Sequence, residues 1–200
     1  RGWGYTSKVE PVIVQPTESE YGMLGDTIAY DIKDSEISAK HLMDLMGKDI
    51  PATILNAAKF IPSGAFSGLK GIERKPKIEA IYADGHTGLA GGVYYPADAK
   101  IEIPAYSDPP DAETSCFIHE IGHHVHMNRK GNSMISYEQM ERTSELFNSA
   151  KRYNAGFVSN YARADEFEFF AESWASYFIN PQKTYRRFPE VFELIDDCVK

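Results

Sequence analysis

The stretch from Thr114 to Asn128 constrains this chain more than any other, because it combines a helical apolar stripe with four histidines and a glutamate. Cys116, Phe117, Ile121 and Val125 supply apolar surface at helical spacing, so the stretch reads as a helix seated in a core. Asp111 is placed to cap that helix behind Pro109 and Pro110, and Gly131 is placed to end it. Within the helix His119 and His123 are i and i+4, so both imidazoles leave from one face and can share a tetrahedral cation. Glu120 lies beside them on the helical wheel, where its carboxylate can reach a water on the cation rather than the cation itself. His124 and His126 point away from this face and read as surface histidines. The plain alternative is an ordinary amphipathic helix rich in histidine. A His-Glu-x-x-His pattern arises by chance in roughly one or two such chains in a hundred, so a catalytic metal site needs a third ligand from elsewhere.

A second helix with carboxylates on an apolar body follows from Asp165. Phe167, Phe170, Ala171, Trp174 and Phe178 keep helical spacing and predict burial on one side. Glu168 and Glu172 are i and i+4 and share a face, and two carboxylates on so apolar a helix require a partner such as a cation. The competing reading makes Asp165 the N-cap and Glu168 the third residue of a capping box. Helix spacing alone leaves both readings open and does not rank Glu168 over Glu172.

The order of elements is that of an α+β chain, strands and short helices first and helices afterwards, with the boundary near Pro110. Val12-Ile13-Val14 reads as an arm or edge strand. Asp34 or Ser35 can cap a helix carrying Ile37, Leu42, Leu45 and Met46. Pro51 opens another through Ile54, Leu55, Ala58 and Ile61, which the stretch from Pro62 to Gly71 breaks. Alternation at Ile78, Ala80 and Tyr82, and at Ile101 and Ile103, predicts strands, with Val93-Tyr94-Tyr95 between them. The glycine-rich stretch Gly85–Gly92 reads as a flexible connection, and it lacks the Lys-Ser/Thr ending of a phosphate loop. Beyond Pro110 three or four helical segments are expected. The chain reads as a single domain over 1–200, with 111–200 carrying the metal site and a cleft between the halves.

Charge removes one class of partner. A net charge of −8 and a pI near 5.3 argue against nucleic acid, whose binders usually present a basic face. The most basic stretch, Lys70 to Lys77, reads as a solvated loop. No apolar run approaches the ~20 residues of a spanning helix. Cys116 and Cys198 read as two free buried thiols rather than a disulfide. Arg1 opens the sequence without a signal-like segment, which reads as a processed piece.

The combination of His119-Glu120-x-x-His123 with a later Tyr161 and the run Glu168-Phe169-Phe170-Ala171-Glu172 resembles the metallopeptidase domain of anthrax lethal factor and its relatives, the secreted Pro-Pro endopeptidases among them. The resemblance covers roughly residues 115–195 and takes in the closing helix Phe188–Ile195. It implies a zincin-like fold with one catalytic Zn2+ on His119, His123 and Glu168, and Glu120 as general base. It also implies Tyr161 as oxyanion donor, Glu172 as a carboxylate that orients a ligating histidine, a protein or peptide substrate, and secretion. The N-terminal half carries no motif that aligns with this family, so substrate preference does not transfer. Two other classes compete: a non-catalytic zincin-like binding module of a toxin or virion protein, and a structural zinc protein. The first usually lacks one of the five residues present here. The second is usually closed by cysteines, and Cys116 has no CxxC partner.

Overall fold

Residues 12–14, 27–29, 37, 39–48, 50–81, 85, 87–105, 111–128, 131 and 134–200 are described by a computed structural model. The chain is α+β, with small sheets in the first half and a mostly helical second half. Strands β1 (Val12–Val14) and β2 (Thr27–Ala29) form an antiparallel pair. Helices α1 (Ala39–Met46) and α2 (Ala52–Ala58) follow, with Pro51 immediately before α2 as expected. Asp34 and Ser35, the caps expected for α1, lie outside the described residues, as does Tyr82. Ile61 falls beyond the end of α2, and a 3-10 turn over Ser63–Phe66 occupies the expected break.

The central sheet has three strands in the order β3-β7-β6: β3 (Gly71–Lys75), β7 (Lys100–Pro104) and β6 (Val93–Tyr95). β3 runs parallel to β7, and β6 runs antiparallel to it with Tyr94 opposite Ile101. Ile72, Ile101, Ile103 and Tyr94 are buried, which turns one face of the sheet to the core. β4 (Glu79–Ile81) and β5 (Thr87–Leu89) make a separate antiparallel pair.

Two sequence readings fail here for one reason. Lys70–Lys77 is a strand over Gly71–Lys75, not a solvated loop, and Gly85–Gly92 contains β5. In β3 only Ile72 is buried, so alternation has almost nothing to register. Its charges are instead matched across the fold. Arg74 donates to Glu113 at 2.6 Å and to the Ala105 carbonyl, and Lys75 pairs with Glu102 on β7.

Five helices make up the second half among the described residues, rather than three or four. They are α3 (Asp111–Met127), α4 (Tyr137–Tyr153), α5 (Glu166–Ile179), α6 (Pro181–Arg187) and α7 (Pro189–Val199). α3 starts at Asp111 itself; whether that side chain caps it lies outside the described residues. Beyond its end the Gly131 amide donates to Asn128. Phe117, Ile121 and Val125 are fully buried and seat α3 under the sheet, while α5 buries Phe170, Ala171, Trp174 and Phe178. Phe167 departs from the expected stripe and is 45% exposed. A second, smaller core joins Phe147, Phe157, Phe169 and Val191, and it anchors the α4–α5 connection. No helix among the described residues is long and apolar enough to cross a membrane.

α3 and α5 touch backbone to backbone at Gly122. A Cβ placed there would stand 3.0 Å from the Ala171 Cα and 3.0 Å from the Trp174 Cβ. Ala171 belongs to rigid helix backbone and cannot swing aside. Gly122→Val should therefore destabilise the chain by about 1–3 kcal/mol, the usual cost of overpacking, as read from urea denaturation. An unchanged midpoint would mean that the two helices separate at no cost.

Candidate metal centre

Helix α3 contributes His119, Glu120 and His123, and α5 contributes Glu168 and Glu172. His119 and His123 sit one turn apart with their rings crossed at 82° and their Nε2 atoms 3.0 Å from each other. Glu168 Oε2 faces both, 3.2 Å from His119 Nε2 and 3.4 Å from His123 Nε2. This oxygen is buried and makes no well-aligned hydrogen bond with either ring. His119, His123 and Glu168 thus form a group that could hold a metal ion.

Glu172 settles which nitrogen of His119 is available. Its Oε1 lies 2.8 Å from His119 Nδ1, so that nitrogen carries a proton and Nε2 is the one that faces His123 and Glu168. Ser159, in the α4–α5 connection, hydrogen-bonds Glu172 and also accepts from the Ala162 amide at 3.0 Å. Ser159 has no helical spacing to advertise it, and sequence reasoning missed it. The same connection is held by Asn154, which closes α4 in the left-handed region at φ 52°, and by Arg163, whose guanidinium packs on the Phe157 ring.

The capping reading of Glu168 is half right. Asp165 caps α5, its side chain accepting from the Glu168 amide at 2.9 Å. The Glu168 carboxylate does not reach back to complete a capping box; it turns to the histidines. Its other oxygen, Oε1, accepts from the Tyr161 hydroxyl at 3.1 Å. Tyr161 stands in a 3-10 turn (Tyr161–Arg163) just before α5, its ring 6.1 Å from that of His119 and 56% exposed.

Glu120 lies on a different side of α3, against the edge strand. The Tyr94 amide donates to its carboxylate. Gly92 is in direct contact, since an added Cβ would fall 2.6 Å from Glu120 Oε1 and 2.3 Å from Cys116 Sγ. Cys116 and Cys198 are free thiols, but only Cys198 is buried. Cys116 opens on the cleft and donates to the Gly91 carbonyl at 2.7 Å. Gly92 therefore serves close approach rather than flexibility. His124 and His126 are the clearest correction: both are buried, His124 completely. His126 stacks on Phe170 with ring centroids 4.6 Å apart. The helix is covered on more sides than its apolar stripe suggests, because β6 and α5 close over its polar residues too.

The cleft above these groups has a volume of about 830 Å³. One wall is β6 with the glycines before it, and the other is α5 with the Tyr161 connection. Met127 and Phe167 lie at one end, Asn180 and Lys183 at the other. No family model matches the chain, and no curated protein matches it.

Charges in the cleft are strongly coupled. Burial disfavours the charged form of His119, but the Glu168 and Glu172 carboxylates that face its two ring nitrogens outweigh it and raise its pKa to about 10. Burial likewise opposes ionisation of Glu168, yet the two facing imidazoles hold it down at about 2. Burial raises Glu120 to about 6, with His119 and His123 pulling the other way.

A cation that takes His119 Nε2 must displace its proton, so metal uptake should release close to one proton per chain at pH 7–8. Apparent affinity should climb about tenfold per pH unit below pH 10, because the competing proton is bound throughout that range. Calorimetry in buffers of different ionisation enthalpy reads both, and uptake without proton release contradicts the coupling. Glu172→Gln, which replaces the carboxylate that fixes Nδ1–H, should weaken metal affinity about 10–100-fold in competition with a chromophoric chelator.

Proposed function

We infer that this chain is a zinc-dependent endopeptidase with a zincin-like fold, its ion held by His119, His123 and Glu168 and its general base supplied by Glu120. The observation that carries this reading is the convergence of His119 Nε2, His123 Nε2 and Glu168 Oε2 at 3.0, 3.2 and 3.4 Å from one another. A tetrahedral ion with bonds of about 2.0–2.2 Å holds its ligand atoms about 3.3–3.6 Å apart, close to this spacing. Two imidazole nitrogens and one carboxylate suit zinc, and three protein ligands leave the fourth position open for chemistry. The buried Glu168 Oε2, with no aligned donor, supports the same fit independently.

Zinc bound there supplies a Lewis acid for a substrate carbonyl and lowers the pKa of a water. The remaining work belongs to the chain. Glu120 takes the proton of the attacking water and passes it to the leaving amine. Tyr161, with an exposed ring beside His119, moves its hydroxyl from Glu168 Oε1 to the developing oxyanion, a contact made only as charge appears. Glu172 and Ser159 keep His119 in the ligating tautomer.

An extended peptide fits along β6, the sheet edge that forms the cleft wall. The strand Ile101-Glu102-Ile103 offers no such edge, because β7 is flanked by β3 and β6. The Tyr94 amide is already taken by Glu120, so backbone pairing falls to the Gly91–Gly92 end. The resemblance of the His119–His123 and Tyr161–Glu172 motifs to the lethal-factor peptidases supports this assignment, and secretion is proposed with it.

Cleavage profiling on a diverse peptide library tests the reading. Glu120→Ala should retain one zinc per chain and lose turnover. Glu168→Ala should lose the metal; a zinc-replete, active variant would return that residue to helix capping alone. Tyr161→Phe should lower kcat about 10²–10³-fold and leave KM nearly unchanged. Stoichiometric zinc with no cleavage of any peptide would favour a non-catalytic zinc-holding module instead.

A further inference from the structure

The face of α3 that meets the sheet carries, beside Glu120, a buried His124 bonded to Tyr94 that the proposed chemistry does not use. Glu120 and His124 are i and i+4, so they share this face as His119 and His123 share the metal face. His124 is completely buried and has partners on both ring nitrogens. Nε2 lies 2.8 Å from the Ser67 carbonyl, which can only accept, so Nε2 carries the proton. Nδ1 is then an acceptor, and it lies 3.1 Å from the Tyr94 hydroxyl. The two rings meet edge to face with centroids 5.4 Å apart.

Tyr94 therefore grips α3 at two points one turn apart, its hydroxyl on His124 and its backbone amide on Glu120. β6 needs such an attachment. It has three residues and, among the described residues, is paired on one side only, by β7, and so short an edge strand is poorly held by its ladder alone. Gly92 lies in contact with the Glu120 carboxylate, so a sideways shift of β6 alters the surroundings of that carboxylate directly.

We propose that His124 is a positioning residue which, through the Tyr94 hydroxyl, clamps β6 onto α3 so that the Tyr94 amide and the Gly92 backbone hold the Glu120 carboxylate in place. The inference rests on the reading of Glu120 as the general base. The clamp itself is a matter of hydrogen bonds and exists without that reading.

The experiment combines amide hydrogen exchange and steady-state kinetics on the 200-residue chain with zinc bound. Tyr94→Phe removes one hydroxyl and keeps the ring. His124→Leu removes both ring hydrogen bonds, and His124→Gln can still donate to Ser67 and accept from Tyr94. Tyr94→Phe and His124→Leu should each speed exchange of the residue-94 amide about tenfold, as loss of one restraining hydrogen bond implies. Exchange in the β3–β7 pair should stay unchanged, with one zinc per chain retained. kcat should fall by a similar factor with little change in KM, and His124→Gln should recover most of both effects. If Tyr94→Phe leaves residue-94 exchange and kcat at their original values while only the melting temperature drops, His124 is a core residue and the clamp is wrong. Faster residue-94 exchange together with full turnover in Glu120→Ala would uphold the clamp and overturn the base assignment.

Discussion

The direct packing of α5 on α3 at Gly122 sets the position of every group in the metal centre. With no side chain at Gly122, the backbone around Ala171 and the Trp174 side chain come within reach of α3. That approach puts Glu172 on His119 Nδ1 and Glu168 between the two Nε2 atoms. One turn further along, His126 stacks on Phe170. A longer side chain at Gly122 would spread the helices and lengthen all these contacts together. Buried imidazoles and carboxylates would be unfavourable singly, and facing one another offsets part of that cost. The aromatic body of α5, Phe170, Trp174 and Phe178, holds the helix in register while its polar edge is presented to the histidines.

The first half of the chain acts on the site mainly through its backbone. Gly92 and the Tyr94 amide border Glu120, and the Gly91 carbonyl receives the Cys116 thiol. Such contacts depend on where a strand lies rather than on which side chains it bears, which is why this half carries no motif that could be aligned. β6 in turn is located by β7, whose Ile101 and Ile103 are buried in the main core. Core packing is thereby converted into the placement of a carboxylate in the cleft.

The α4–α5 connection has a comparable role. Asn154 reverses the chain after α4, Arg163 lies over Phe157, and Phe157 packs with Phe147 and Phe169 in its own small core. Ser159 and Tyr161 ride on this rigid piece and reach Glu172 and Glu168 from the side away from the sheet. The outer wall of the cleft is thus an ordered structure, although it is neither helix nor strand for most of its length.

Local residue order is enough to define the two helices and the faces on which His119, His123, Glu168 and Glu172 stand. Those features follow from local periodicity, and a helix fixes the relation of i to i+4 whatever surrounds it. Periodicity also revealed β7, where Ile101 and Ile103 alternate against the core. It could not reveal β3, whose charges are balanced by Glu113 and Glu102 far along the chain. It could not rank Glu168 over Glu172 either, since both share one face of α5, and only the docking of that helix decides which carboxylate reaches Nε2 and which reaches Nδ1. His124 and His126 carry the same lesson. A helical wheel places them off the metal face, but burial is a property of what packs there, and β6 and α5 supply it only in the folded chain.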